Sequence, residues 1–242
     1  MRNSNPKVSI VIPAYNEEKY IGNSLRSLQE SEQKTKINYE VILVDNNSSD
    51  QTVKIAQKFA KDMNLRIIKE DKQGRGMARA RGFAEAKGDI ILSADADTIF
   101  YQGWIETLTS ALKKNVAAVT TSCKIVDCSP LKNLLFNWLQ PIMALLYRLF
   151  TGHYWLCGFS FGITKSVYEK SGGFDTALQA QEDLDLAFKV AKLGKIKVIN
   201  KPVIFSGRRF KDGLVTGTYE YIKTFIEAFV LKKKDVYLDN PR

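Results

Sequence analysis

The sequence predicts an α/β fold, an open and mostly parallel sheet wrapped by helices. Short β-branched runs alternate with segments of helical apolar spacing four times within about the first hundred residues. The polar clusters 13–17, 45–50 and 95–97 directly follow three of those runs, at the carboxyl ends where such sheets bind ligands. With 242 residues, 45% hydrophobic and 26% charged side chains, the chain can bury a sizeable core and is neither fibrous nor low in complexity.

The first strand is Val8-Ser9-Ile10-Val11-Ile12, closed by Pro13. Glu17 to Leu28 follows with apolar Tyr20, Ile21, Leu25 and Leu28 at helical spacing, and Glu40 to Val44 is the second strand, ended by Asp45 and two asparagines. Ser49 or Asp50 caps a helix through Phe59, Leu65 to Ile68 is a third strand, and Met77 to Ala86 is a helix ended by Gly88. Asp89 to Ala94 is the fourth strand. Beyond residue 100, strands are expected over Ala117–Thr121, Phe159–Thr164 and Lys195–Ile204, and a helix over Glu182–Leu193, stopped by Gly194.

Three cysteines and one histidine supply neither a disulfide framework nor a usual zinc site, and the first ten residues hold no apolar run ahead of a cleavage site, so a reduced, cytoplasmic setting is expected. The net charge of +10 favours anionic partners such as phosphate-bearing ligands or acidic lipid headgroups. With no repeat, zinc-finger spacing or RNP-like motif, nucleic acid is not an expected partner. Leu131, Leu134, Leu135, Trp138, Leu139, Ile142, Leu145, Leu146 and Leu149 recur at helical spacing. Lys132 and Arg148 bound a stretch too short and polar to span a bilayer, and Pro141 should kink it. The segment reads as an interfacial helix or as a core or dimer helix. Residues 214–231 repeat the theme, with Val215, Tyr219, Ile222, Ile226, Phe229 and Val230 on one side and Lys232-Lys233-Lys234 after them, so peripheral membrane association is expected.

Two carboxylates one residue apart at a strand end, as in Asp95-Ala96-Asp97, suit a divalent cation on one and a ribose or base on the other, although such a triplet also fits a polar turn. Asp45 stands where it can accept from a nucleobase N–H, or it belongs simply to the loop that caps the next helix. Gly74 to Gly82 departs from a dinucleotide fingerprint at Arg79, leaving an arginine-rich helix start suited to a diphosphate or to solvent. Glu182 and Asp183 open a helix, where the helix dipole alone favours acidic residues. Asp183 shares a face with Ala187 and Val190, which points it inward as a general base. His153 reads as structural. Arg208 and Arg209 suit either solvent or closure over a diphosphate.

Taken together, Val8 to Glu18, the Val-Asp-Asn-Asn-Ser-Ser-Asp segment, Gly74 to Gly82, Asp95-Ala-Asp97 and Gly-Gly-Phe-Asp175 followed by Glu182-Asp183 resemble family 2 glycosyltransferases of the GT-A fold, over roughly residues 7 to 205. The resemblance implies a Rossmann-like domain over 1–205, with its nucleotide-sugar-binding half at 7–100 and its acceptor-binding half at 101–205, and an amphipathic basic tail over 206–242. It implies that Pro13, Ala14, Tyr15 and Glu17 line the nucleoside pocket, Asp45 reads the base, Arg79 approaches the diphosphate, Asp95 and Ala96 take the ribose side and Asp97 holds Mn²⁺ or Mg²⁺. Asp183 is then the base of an inverting transfer, and Glu182, Gly158 and Trp155 are candidates for supporting it or touching the acceptor. The pattern departs from the family at Ala80, where an asparagine often follows the arginine. The expected activity is transfer from a nucleotide-sugar, a UDP-sugar by preference, to a lipid-linked or glycan acceptor at the cytoplasmic membrane surface. Two rivals are a nucleotidyltransferase, which usually carries a glycine-rich basic loop after its first strand, and a catalytically inactive membrane-surface scaffold.

Overall fold

The computed structural model describes residues 7–178, 181–210, 213–225 and 227. Seven strands form one sheet in the order β3-β2-β1-β4-β6-β5-β7. These are β1 (Val8–Ala14), β2 (Tyr39–Asp45), β3 (Leu65–Lys69), β4 (Ile90–Ala94), β5 (Val116–Lys124), β6 (Ser160–Thr164) and β7 (Lys195–Ile204). The helices are α1 (Ile21–Ser31), α2 (Thr52–Gln57), α3 (Arg75–Glu85), α4 (Trp104–Ala111), α5 (Pro130–Thr151), α6 (Lys165–Lys170), α7 (Glu182–Ala191) and α8 (Leu214–Phe225), with a 3₁₀ turn at Gly207–Phe210. Only β6 runs against its neighbours β4 and β5. The sheet order turns back between β1 and β4, so a crevice opens at their carboxyl ends.

Alternation along the strands divides the core into two layers. Val8, Ile10 and Ile12 of β1 pack in the layer that holds Leu25 and Leu28 of α1 and Trp104 and Leu108 of α4. Val11 faces the layer that holds Phe83 of α3, Phe161 of β6 and Leu186 and Val190 of α7. Each such side chain contributes roughly 1.5–3 kcal/mol by burial. Helix α3 lies close to the sheet at Gly82, where a Cβ would stand 2.3 Å from Val11 Cγ1 and 2.9 Å from Val44 Cγ2.

The strands fall where the sequence predicts them, with two informative differences. β1 continues through Pro13, paired with Val44 of β2. The missing N–H of Pro13 points to the β4 side, one step past the last β1–β4 pair, Val11 and Ser93, so no ladder bond is lost. α1 starts at Ile21 rather than Glu17, because residues 15–20 form a loop tied to the loop before α2. The Glu17 N–H donates to Thr52 Oγ1 at 2.7 Å and the Glu18 N–H to Asp50 Oδ2 at 3.0 Å. That loop carries residues predicted to line the nucleoside pocket, and these bonds fix its place.

Helix α5 runs unbroken through Pro141, and none of its residues is buried. Its polar stripe faces the domain: Asn137 exchanges two hydrogen bonds with the backbone of Ile125, and Asn133 does the same with Cys128. Phe136 is its apolar anchor, against Phe205 and Phe210. The core-helix reading of α5 is thereby excluded within this chain, since Leu134 (67% exposed), Trp138 (64%) and Leu149 (71%) point outward. Residues 206–210, expected to begin a separate tail, pack into the domain through buried Ser206, Gly207 and Phe210. Ile226, Phe229, Val230, Lys232, Lys233 and Lys234 lie outside the described residues, as do the side chains of Val215 and Ile222.

Candidate functional site

The carboxyl ends of β2, β1 and β4, adjacent in the sheet, deliver the three predicted clusters to one crevice. Asp45, 8% exposed, ends β2, and its Oδ1 accepts from the Ser48 N–H at 3.1 Å. Ala14 and Ala96, each 3% exposed, place their methyl groups in the core, which leaves their backbone as the part available to a ligand. Pro13 is buried, and Tyr15 is half-buried beside Asn16, which takes a left-handed conformation with φ 53°.

Asn46, not singled out from the sequence, organises the next wall. Its amide donates at 2.8 Å to the carbonyls of Glu70 and Lys72 and accepts from the Gly74 N–H at 2.8 Å. One side chain thus binds the loop before α3 to the end of β2. Its position directly after Asp45 was the available signal, but a surface asparagine in a turn reads the same way.

Arg79, expected near the diphosphate, is 1% exposed and forms ion pairs with Glu182 of α7 and Asp95 at the end of β4. Asp95, expected on the ribose, is therefore engaged from behind by a guanidinium. The close approach of α3 to the sheet carries Arg79 beneath the crevice floor. Gly158 makes room for it, since a Cβ there would sit 2.3 Å from Arg79 Nη2 and 2.6 Å from Cζ.

Gly158 also donates its N–H to Asp183 Oδ2 at 2.9 Å. Asp183 is partly exposed on the first turn of α7, with Ala187 and Val190 buried below it. Burial and the neighbouring Glu182 carboxylate push its pKa up to about 6, against the opposing pull of Arg79, the Gly158 N–H and Arg75. A carboxyl so tuned is ionised near neutral pH and basic enough to take a proton. Trp155, three residues before Gly158, packs on Tyr147 of α5, ring centroids 4.9 Å apart. His153 is wedged between Tyr147 and Phe188 at 5.7 and 4.8 Å, in keeping with a structural role.

Asp97 is 4% exposed, and its Oδ2 lies 3.2 Å from Arg208 Nη2. Among the described residues no three His, Cys, Asp or Glu side chains converge on a metal position. The residues nevertheless fit Mn²⁺ or Mg²⁺, because Asp97 presents a buried carboxylate that already faces a cation, and such ions are commonly held by one or two carboxylates plus substrate phosphates. Arg208 also grips Glu17, with Nη1 to Oε2 at 2.8 Å and Nη2 to Oε1 at 2.5 Å. Glu17 therefore meets the crevice through a guanidinium. Arg208 borders a polar cavity of about 450 Å³ with Asn16, Lys19, Tyr20, Ser49 and Asp50.

Residues 9–172 match the model of the family described as Glycosyl transferase family 2. The chain is 31% identical over 201 residues to a probable glycosyltransferase, YdaM, of Bacillus subtilis (strain 168), covering 78% of this chain and 47% of that protein. It is 39% identical over 108 residues to the glycosyltransferase AglE of Haloferax volcanii, covering 44% of this chain and 35% of that protein. The chain thus spans about half or less of these curated relatives. Among solved structures, Staphylococcus aureus TarS 1–349 in complex with UDP-GlcNAc superposes with a TM-score of 0.66 at 22% identity, over 84% of this chain and 59% of that one. The mannosyltransferase PcManGT of Pyrobaculum calidifontis, in complex with GDP-Man and Mn²⁺, gives 0.64 at 21% identity over 91% and 65%. These similarities show the GT-A fold.

Proposed function

The chain belongs to glycosyl transferase family 2, and from that premise we propose that it transfers a sugar from a nucleotide-sugar, by preference a UDP-sugar, to a hydroxyl of a lipid-linked or glycan acceptor. The observation that carries this reading is the convergence of Asp45, the 14–17 loop, Asp95 and Asp97 on the crevice between β1 and β4. Asp183 belongs to the same floor, since the Arg79–Glu182 pair and the Gly158 N–H join its helix to it.

In the proposed reaction the Asp183 carboxylate takes the proton of the acceptor hydroxyl as that oxygen attacks the anomeric carbon. The bond from this carbon to the diphosphate oxygen breaks, and the nucleoside diphosphate leaves with the electron pair. One in-line displacement inverts the anomeric configuration. In this reading Asp45 accepts a hydrogen bond from the base. Arg79 keeps Glu182 and Asp95 in register rather than touching phosphate. A divalent cation held by Asp97 and the donor phosphates would stabilise the charge developing on the leaving group.

The donor site is tested by thermal shift with UDP, GDP, CDP and dTDP, with and without Mn²⁺. A ligand of folded protein alone stabilises it by about 2.7 kcal/mol at a hundredfold excess over Kd. The expected result is Mn²⁺-dependent stabilisation by one nucleotide, lost in Asp97→Ala. A flat response to all four would sink the reading and move the scaffold ahead.

We further propose that α5 lies in the interface at the cytoplasmic face of a membrane, next to the acceptor. No helix among the described residues is long and apolar enough to cross a membrane. α5 instead exposes eleven large apolar residues in one helix, from Leu131 to Phe150, more than isolated surface hydrophobics account for. Co-sedimentation with vesicles of mixed anionic and zwitterionic lipid should bind the wild type and not a Leu134→Glu/Leu146→Glu variant; equal binding of the two would reject the assignment.

A further inference from the structure

Arg208 approaches the crevice from the far end of the chain, on a backbone that is firmly held. Phe205, directly after β7, stacks on Phe159 with ring centroids 5.1 Å apart and an interplanar angle of 5°. Asp127 receives the Ser206 hydroxyl at 2.8 Å and the Gly207 N–H at 2.6 Å. Phe210, 4% exposed, closes the turn. From this mount the guanidinium crosses Tyr20 at 4.6 Å from the ring centroid and meets both Glu17 and Asp97.

The exposures are graded: the side chains of Arg208, Glu17 and Asp97 are 20%, 5% and 0% exposed. The cation is the outer member of the cluster, and the carboxylates are the inner ones. Two carboxylates at that depth are costly without a positive charge beside them. A divalent cation on the Asp97 oxygen that Arg208 faces would stand close to the guanidinium, where like charges repel, so the two compete for that carboxylate.

We propose that Arg208 is the resident counter-cation of the donor pocket, standing where the metal ion has to go, so that the protein takes up a divalent cation together with nucleotide and not before it. This rests on the donor-site reading above and adds an order of binding to it. A metal ion arriving alone must displace Arg208 and finds one carboxylate in return. A metal ion arriving on a nucleoside diphosphate brings its own phosphate ligands, and those phosphates offer the displaced guanidinium a new anion.

The test is Mn²⁺ binding followed by electron paramagnetic resonance at pH 7.5, with and without UDP or GDP, on wild type, Arg208→Gln and Arg208→Lys. In the absence of nucleotide, Arg208→Gln should bind Mn²⁺ at least tenfold more tightly than wild type. Arg208→Lys, which keeps the charge, should behave as wild type, and nucleotide should recruit Mn²⁺ to the wild-type protein. Arg208→Met, which removes the charge while keeping an apolar stem over the Tyr20 ring, should also raise nucleotide-free affinity, and it serves if Arg208→Gln folds poorly. Unchanged Mn²⁺ affinity in both neutral variants, with recruitment by nucleotide intact, would overturn the counter-cation role and leave the donor site standing. Failure of UDP and GDP alike to recruit Mn²⁺ to the wild type or any variant would overturn both.

Discussion

Asp183→Asn should lower kcat by about 10²–10⁴-fold, the range that a positioned general base contributes, while nucleotide-dependent thermal stabilisation stays at the wild-type level. The substitution is nearly isosteric, and the amide oxygen can still accept from the Gly158 N–H, which donates at 2.9 Å in the wild type. What is lost is the capacity to take a proton. In the wild type, kcat should rise with pH through about 6 and then level off, because the carboxyl must be ionised to act and burial beside Glu182 has raised its pKa to that value. Glu182→Gln removes the neighbouring negative charge and should move the acidic limb to lower pH. Retained turnover in Asp183→Asn, or a rate independent of pH between 5 and 7, would remove Asp183 from the chemistry.

Arg79→Met should destabilise the fold by about 3–5 kcal/mol, the usual cost of leaving a buried charge without its partner. For a chain of this size that corresponds to a fall in Tm of roughly 6–20 °C. The reason is local: Glu182 is 1% exposed, and Arg79 is its ion-pair partner. The double variant Arg79→Met/Glu182→Gln should recover part of the loss, since it removes the stranded charge as well. A change in Tm of only a degree or two in Arg79→Met would show that the buried cluster is not what joins α3, β4 and α7. The Asp95 ion pair makes the same variant a test of donor geometry, because the carboxylate would lose the guanidinium that holds it from behind.

The strand-helix alternation was legible because each strand is an apolar run bounded by its own turn residues. Periodicity within a run needs no knowledge of neighbours. The start of α1 was not legible, because what stops the helix short of Ile21 is Thr52 and Asp50, more than thirty residues away. The direction of β6 was equally hidden, since an apolar pentapeptide reads the same whichever way its partners run. For α5 the heptad-like spacing was visible, but which stripe faces the domain depended on Asn133 and Asn137 finding the backbone of residues 125–128.

What the sequence by itself determined is the list of chemical groups and their order: acidic residues placed after strands, glycines before helices, and a motif set that identifies the family. These follow from local periodicity and residue type, which are written in the chain directly. Only the tertiary structure decided what each group faces. It paired Arg79, expected near a diphosphate, with buried Glu182 and with Asp95, and it brought Arg208 across 191 positions to Glu17. Charges select partners by distance and burial, and both are set by how the sheet and its helices pack.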